Sequence, residues 1–377
     1  MISAFFFTWF FAASLWTINA LRRPVPPGKG FPPLWLPGMV VSELAPWLFV
    51  ARAVVAWGFI AVGALELRIG QAGLALFVLS EAGLVPLMVR SWRASRNAGT
   101  RPGLLDLFNV RSGLPDEIEL STEIQYWDDL TLDVYRRAHV RNAPTLVYLH
   151  PGSWMRGRPG RQALPLIHGL ARAGWVILDI RYPLSPLATF PEHLIGVKRA
   201  IAWAKSEGRQ LGVDPDRVCI AGGSSGAHLA SLAALTWDHD DLQPGFERAD
   251  TSVVACVPHY GIYDLLVRNS TRFDWPFVAQ HVLKARPQEA PDLYRLGSPI
   301  DLVRGDAPPF LVVHGDLDSV VLVEESHHFV DALRAAGARV EYHEVRGAQH
   351  GFDAIGSIRT RAVDRLVAAF LIETTNV

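Results

Sequence analysis

The chain has 377 residues, half of them hydrophobic, and its 36 Lys and Arg nearly balance 37 Asp and Glu, for a net charge of −1. That balance argues against a nucleic-acid partner, and no run of like charge marks an interaction tail. Two cysteines, Cys219 and Cys256, lie in apolar strand-like runs, so they read as buried free thiols rather than a disulfide framework or a zinc site.

Residues 2–21 carry no charge and include Phe5, Phe6, Phe7, Trp9, Phe10, Phe11 and Trp16. Their length is close to the ~20 residues that cross a bilayer. A second apolar run spans 46–65 with only Arg52 inside, and a third spans 69–89 with only Glu81 inside. Residues 1–103 therefore read as a membrane region of about three transmembrane helices, at 2–21, 46–65 and 69–89. The last two also fit a buried helix pair of a soluble protein. The first also fits a secretory signal peptide, although it lacks a basic leading segment and a small-residue cleavage site.

Arg22, Arg23 and Lys29 follow the first run, and Arg90, Arg93, Arg96 and Arg101 follow the third. With both basic clusters inside, the N-terminus lies outside and everything after Arg90 lies in the cytoplasm. Arg52, about one turn into its run, is expected to snorkel to the interface. Glu81 needs a partner within the helix bundle.

From residue 104 to 377 the texture changes. Strands are expected at 123–127, 132–136, 145–149, 176–180, 218–221, 253–258, 310–313 and 340–345. Helices are expected at 161–173, 191–211, 227–235, 324–336 and 358–372. The early strands read as a meander. The later ones are short, apolar throughout and separated by helices, which implies a mostly parallel sheet covered on both faces. Ligands of such sheets bind beyond the carboxyl ends of the strands.

Four of those ends carry candidate groups. Gly222-Gly223-Ser224-Ser225-Gly226 lies between an apolar strand and a helix. That is the setting in which G-x-S-x-G forms a nucleophile elbow, a strained turn that lifts the serine hydroxyl clear of the sheet. His150-Pro151-Gly152-Ser153-Trp154 follows the strand at 145–149. His314-Gly315-Asp316-Leu317-Asp318 follows 310–313, and His350-Gly351-Phe352 follows 340–345. The chain order Ser…Asp…His is that of an α/β-hydrolase. Ser224 needs a base, a neutral imidazole at His350 suits that task, and Asp318 would hold its tautomer. The N–H of Ser225, next after the serine, and those of Gly152 and Ser153 are candidate oxyanion donors.

These motifs together resemble the hormone-sensitive-lipase-like esterases, with an α/β-hydrolase fold over roughly residues 123–372. Arg181-Tyr182-Pro183-Leu184-Ser185-Pro186 and Phe190-Pro191 resemble a further loop of that family. The resemblance implies that Asp318, rather than Asp316, is the acid. It implies a serine carboxylic-ester hydrolase without metal or organic cofactor, acting on a small ester or lipid. Departures are Pro151, Ser153 and Gly223, where the family has glycine, glycine and an acidic residue. The family's usual N-terminal cover is expected to be short or built elsewhere, with the segment 265–296, holding Phe273, Trp275 and Phe277, as a candidate. His150 is expected to support its loop, and His228 to be structural. An amidase or formamidase, a prenylcysteine-type methylesterase, an acyltransferase and a non-catalytic membrane receptor or scaffold remain alternatives. Oligomeric state is open.

Overall fold

A computed structural model describes residues 1–26, 33–97, 99, 102–110, 113–272 and 275–375. Lys29, Arg101 and Phe273, named above, lie outside them. Contacts divide the chain into two compact units. One comprises Met1–Arg111 with Gly315–Val320 and Val345–Val363; the other comprises Ser112–His314, Val321–Glu344 and Asp364–Val377.

The first unit begins with helices α1 (Ile2–Leu21), α2 (Trp35–Glu43), α3 (Ala45–Ala61) and α4 (Arg68–Asn97). Close approach of α1 to α4 depends on small residues: a Cβ at Gly73 would lie 2.8 Å from the Phe6 ring, and one at Gly83 would lie 2.5 Å from Thr17 Cγ2. Phe6 and Phe10 are buried there against Phe59 and Phe77. Other faces are bare: Phe5, Trp9, Val54 and Trp57 are more than half exposed. That pattern of apolar side chains without protein cover is what a lipid environment or a partner would cover.

Among the described residues α1 and α4 are each long and apolar enough to cross a membrane; α2 and α3, bent by 84°, qualify only as a pair. The expected 46–65 helix instead ends at Ala61, and the expected 69–89 helix runs on to Asn97 with Pro86 inside it. Arg52 does not snorkel. It is 7 % exposed, its Nη1 donates to Thr17 Oγ1 at 2.9 Å, and Glu81 Oε1 lies 4.0 Å away. A charge inside an apolar bundle is held by a partner when one is within reach, and Glu81, whose partner had to be found, is that partner.

The second unit is built on one eight-stranded sheet in the order β1-β2-β4-β3-β5-β6-β7-β8. The strands are β1 (Ile118–Trp127), β2 (Leu130–Arg137), β3 (Ala143–Leu149), β4 (Val176–Ile180), β5 (Val213–Gly223), β6 (Cys256–His259), β7 (Phe310–Gly315) and β8 (Val340–Val345). Helices α5 (Leu164–Arg172), α6 (Glu192–Ser206), α7 (Ser225–Leu235), α8 (Trp275–Phe277), α9 (Pro291–Leu296), α10 (Glu324–Ala335) and α11 (Ile358–Thr375) complete the order.

The meander is correct only for β1 and β2, an antiparallel hairpin closed at Asp128-Asp129. β2 then pairs with β4, and β3 crosses to the far side of β4. The reason is burial: residues 145–149 of β3 and every residue of β4 are buried at consecutive positions, which requires cover on both faces and a place in the parallel centre. From β4 through β3, β5 and β6 to β7 the strands pair in parallel. The helix expected over 191–211 ends at Ser206 and passes into a 3-10 turn, Gly208–Leu211, where Gly208 leaves no room for a Cβ beside Val213. Cys219 and Cys256 are buried free thiols.

Candidate active site

Only Ser224 lies between the end of β5 and the start of α7, so the chain must turn within one residue. Ser224 takes φ 54° and ψ −118°, a region that costs a non-glycine residue of order 1–3 kcal/mol. Ser224 N–H donates to the His259 carbonyl at 3.0 Å and Ser224 O accepts from His228 N–H at 3.0 Å. The flanking glycines allow neighbouring backbone to close in: a Cβ at Gly226 would lie 2.2 Å from Leu149 O, and one at Gly222 would lie 2.6 Å from the Gly226 carbonyl carbon. Gly223, where the related family carries an acidic residue, has its own cause: a Cβ there would lie 2.6 Å from Tyr260 Oη.

The carbonyls of Leu149 and His150 that crowd Gly226 belong to the chain entering the 150–154 loop. That loop turns sharply, with φ of 147°, 55° and 58° at Gly152, Ser153 and Trp154. Its conformation is held at several points. Gly152 O accepts from Met155 and Arg156 N–H, each at 3.1 Å, and Trp154 O accepts from Ser185 N–H at 2.8 Å. Trp154 Nε1–H donates to His228 Nδ1 at 3.1 Å, and His228 Nε2–H donates to Gly297 O at 2.7 Å. Those two bonds define the His228 tautomer, and burial pushes its pKa down to about 3, so the ring stays neutral. His150 supports the loop as expected: Nδ1–H donates to Pro151 O at 3.0 Å and the ring stacks on Tyr182 at 4.4 Å. Burial pushes His150 down to about 4, and Tyr182 Oη donates to the His150 carbonyl at 2.8 Å.

Further along, Gly160 N–H donates to Asp179 Oδ2 at 2.8 Å. Burial pushes Asp179 from 3.8 up to about 8, against the pull of that donor, so the folded protein keeps it protonated at neutral pH. A raised carboxyl stabilises the fold fully only below its unfolded value, and the contribution is lost as pH rises toward 8. Asp179→Asn, which needs no proton, is therefore expected to gain on wild type by about 1.4 kcal/mol per pH unit between roughly pH 5 and 8. Thermal unfolding at several pH values checks this; a mutant-minus-wild-type difference that stays flat contradicts it.

A cleft of about 740 Å³ backs onto His150 and Tyr182, with Trp127, Leu130, Leu184 and Ile195 among its walls. Ser224 is not one of its lining residues. Within the described part of the segment 265–296, Val278, Val282 and Tyr294 are buried. At its base Glu325 receives N–H bonds from Tyr263 and Asp264, each at 2.9 Å, and an Arg272 Nη1 contact at 2.8 Å.

The acid and base candidates lie in the first unit. Asp318 is fully buried, and its Oδ2 accepts from His350 Nδ1 at 2.7 Å while Oδ1 accepts from Val320 N–H at 2.8 Å. Asp316 is engaged elsewhere, with Oδ1 accepting from Gly347 N–H at 2.5 Å. His314 is structural, bonded to Ser326 Oγ at 2.6 Å and to Val321 O at 2.9 Å. Sequence reasoning missed Gln349, whose Oε1 accepts from Ser319 N–H at 3.2 Å and Ser319 Oγ at 3.1 Å, joining the segments that carry Asp318 and His350. Its adjacency to His350 was the only signal. The His228 partnership of Trp154 was also missed, because residues 74 positions apart gave no local pattern.

A BD-FAE family profile matches residues 132–333 of the chain. The probable carboxylic ester hydrolase LipM of Mycobacterium tuberculosis is 36 % identical over 391 residues, covering 95 % of this chain and 90 % of LipM. Esterase LipQ of the same organism is 40 % identical over 282 residues, covering 73 % of this chain and 67 % of LipQ. Among solved structures, Thermogutta terrifontis esterase 2 phosphonylated by sarin superposes with a TM-score of 0.58 at 25 % identity, covering 69 % of this chain and 96 % of that one. The chain belongs to the BD-FAE family of hormone-sensitive-lipase-like α/β-hydrolases and is a carboxylesterase-type hydrolase.

Proposed function

We propose that the protein cleaves carboxylic esters through an acyl-enzyme in which Ser224 is the nucleophile, His350 the general base and Asp318 the group that orients it. The observation that carries this reading is the 2.7 Å contact between His350 Nδ1 and the buried Asp318 carboxylate. With Nδ1 engaged as donor, the ring accepts a proton at Nε2. Ser224 Oγ attacks the ester carbonyl and its proton passes to His350. The imidazolium then protonates the leaving alkoxide, and the alcohol departs. Water, deprotonated by the same imidazole, attacks the acyl-enzyme; collapse of the second tetrahedral intermediate releases the carboxylic acid and returns the proton to Ser224. Asp318 stabilises the imidazolium in both halves.

N–H groups of Gly152, Ser153 and Ser225 are the proposed oxyanion donors. In support, the backbone at 149–150 crowds Gly226, one residue beyond Ser225, and the loop that follows is clamped by Trp154, His228 and Tyr182. Pro151, which lacks an N–H, precedes the donors and removes none of them. Losing one such donor typically costs ~2.7–4 kcal/mol of transition-state stabilisation.

We further propose that residues 1–103 anchor the protein in the membrane as a multi-pass region and that the catalytic residues of 104–377 face the cytoplasm. The apolar α1 and α4 support the anchor, and Arg22, Arg23, Arg90, Arg93 and Arg96 support the orientation. The substrate is then an ester that partitions into lipid. One experiment tests both parts. In intact cells a membrane-permeant fluorophosphonate should label the protein and an impermeant one should not, until lysis. Labelling by the impermeant probe in intact cells overturns the orientation, and no labelling by either overturns the serine hydrolase. In purified protein, p-nitrophenyl esters should turn over at least about 100-fold faster than matched anilides, a ratio of about 2.7 kcal/mol in barrier; the reverse preference favours an amidase.

A further inference from the structure

Helices α1 and α4 run in the same direction: a Cβ on Gly70 would lie 3.1 Å from Ser3 Cβ, and one on Gly83 would lie 2.5 Å from Thr17 Cγ2. Their C-terminal ends therefore lie together, and charge begins there, with Arg22 and Arg23 after α1 and Arg90, Arg93 and Arg96 in the last turns of α4. Helix α3 starts at that end, since Ala45 shares one buried cluster with Ala20, Leu84 and Leu87, against which Leu21, Leu48 and Met88 also pack. Trp47, in the first turn of α3, is thus level with the last apolar residues before both arginine clusters. That is the depth at which tryptophan is enriched in bilayers. The Trp47 indole N–H donates to the Phe108 carbonyl at 3.0 Å, and the two rings meet edge-on with centroids 5.6 Å apart. The bond brings the 3-10 turn Leu104–Phe108 to the same depth. On this turn Leu104 is 81 % exposed and Leu105 86 %.

The 345–363 segment, which carries His350 and belongs to the same compact unit, is fastened at this level too. Arg361 Nη2 donates to Asp106 O at 2.7 Å, and Arg361 Nη1 donates to Gly356 O at 2.9 Å. Ser42 Oγ donates to Gly347 O at 2.9 Å, and the buried Glu43 carboxylate takes the Arg359 guanidinium. A Cβ on Gly347 would lie 3.1 Å from Arg90 Cδ. N-terminal residues thus reach the base segment, although the cover of the site was expected to come from elsewhere. Trp47, Val50, Val54 and Trp57 are spaced by three and four residues, so they form one face of α3, and all four are exposed. This bare stripe ends at Trp47, and the Leu104–Phe108 turn continues it at the boundary where the arginines begin. Continuity with that stripe favours lipid as the cover for both. We propose that Leu104 and Leu105 enter the headgroup–acyl boundary of the bilayer, so that the segment carrying His350 is held at the membrane surface and the ester is taken from lipid. This rests on the readings of residues 1–103 as the anchor and of His350 as the base.

The test uses the full-length protein in bilayers of ether-linked phosphatidylcholine, a lipid without a carboxylic ester. Cys219 and Cys256 are buried, so a nitroxide thiol label reports on cysteines introduced one at a time by Leu104→Cys, Leu105→Cys and Val54→Cys. Relaxation by oxygen, which concentrates in lipid, is compared with relaxation by a nickel chelate, which stays in water, against free label in solution. Labels at 104 and 105 should be shielded from nickel and open to oxygen, about 5–10 Å into the boundary, with the label at 54 deeper. Full nickel contact at 104 and 105, with 54 still shielded, would overturn the proposal and leave the anchor standing. Nickel contact at 54 as well would sink the anchor and the proposal with it. Shielding of 104 and 105 from both reagents, with spin–spin broadening that dilution by unlabelled protein removes, would put a second copy there and overturn the proposal too. Function is read in the double variant Leu104→Asp, Leu105→Asp. Turnover of p-nitrophenyl laurate dissolved in the bilayer should fall by about 10-fold, while that of p-nitrophenyl acetate in water stays within about twofold. A wild type that hydrolyses only the soluble ester, or a ratio of the two rates that the variant leaves unchanged, would overturn the uptake of ester from lipid. Full activity in His350→Ala would sink the assignment of the base, a separate failure.

Discussion

Ser224→Ala should lower kcat by about 10⁵–10⁶-fold while leaving KM within a small factor of wild type. Nothing else at this position can replace the hydroxyl. The neighbouring Ser225 begins α7, is fully buried and is proposed to act through its N–H, so it offers no second nucleophile. The backbone at Ser224 is held by the bonds to His259 and His228, which alanine retains, and alanine removes only one oxygen. The loss should therefore be chemical rather than structural: the variant folds, binds ester and does not turn it over. Steady-state kinetics beside an unfolding measurement checks this. Loss of activity accompanied by loss of fold, or retention of more than about one part in a hundred of kcat, a barrier change below about 2.7 kcal/mol, contradicts it.

Asp318→Asn is the second large effect, and its cause is the tautomer. Asp318 accepts from His350 Nδ1–H, so the bare nitrogen is Nε2. An asparagine can keep accepting from Val320 N–H through its oxygen, but it then presents its NH₂ to Nδ1. Nδ1 must become the acceptor and the ring proton moves to Nε2, the position that has to be empty to receive the serine proton. The expected fall in kcat is about 10⁴-fold with little change in packing, because the two side chains have the same shape. Asp316→Asn should be far milder, since Asp316 Oδ1 accepts from Gly347 N–H and an asparagine oxygen can do the same. Equal effects at the two aspartates, measured in one assay, would mean that the acid has been assigned to the wrong residue.

How much of this was legible in the chain depends on the range of the interactions. The elements that end in candidate residues were readable because their signals are local: a run of apolar residues, then a turn. β4 and β8 match the expected 176–180 and 340–345 to the residue. The place of β3 between β4 and β5 was not readable, because strand order depends on which crossover buries both faces and no local pattern states it. Asp318 and His350 were legible as motifs, whereas the fastening of their segments to one another by Gln349 and to α2 by Ser42 and Glu43 was not. Those contacts join residues up to 316 positions apart. Arg52 illustrates the same limit. A lone arginine in an apolar run suggests an escape to the interface, and only the packing of three helices shows Thr17 and Glu81 within its reach. Gly223 was visible as a departure from its family, but its reason, Tyr260, lies in another part of the chain.

The most direct measurement is mass-spectrometric mapping of the residue modified by a fluorophosphonate, with the rate of modification compared between wild type and His350→Ala. A single adduct on Ser224, formed far more slowly when the imidazole is gone, is the result expected. Modification of a different residue, or an undiminished rate without His350, would contradict it.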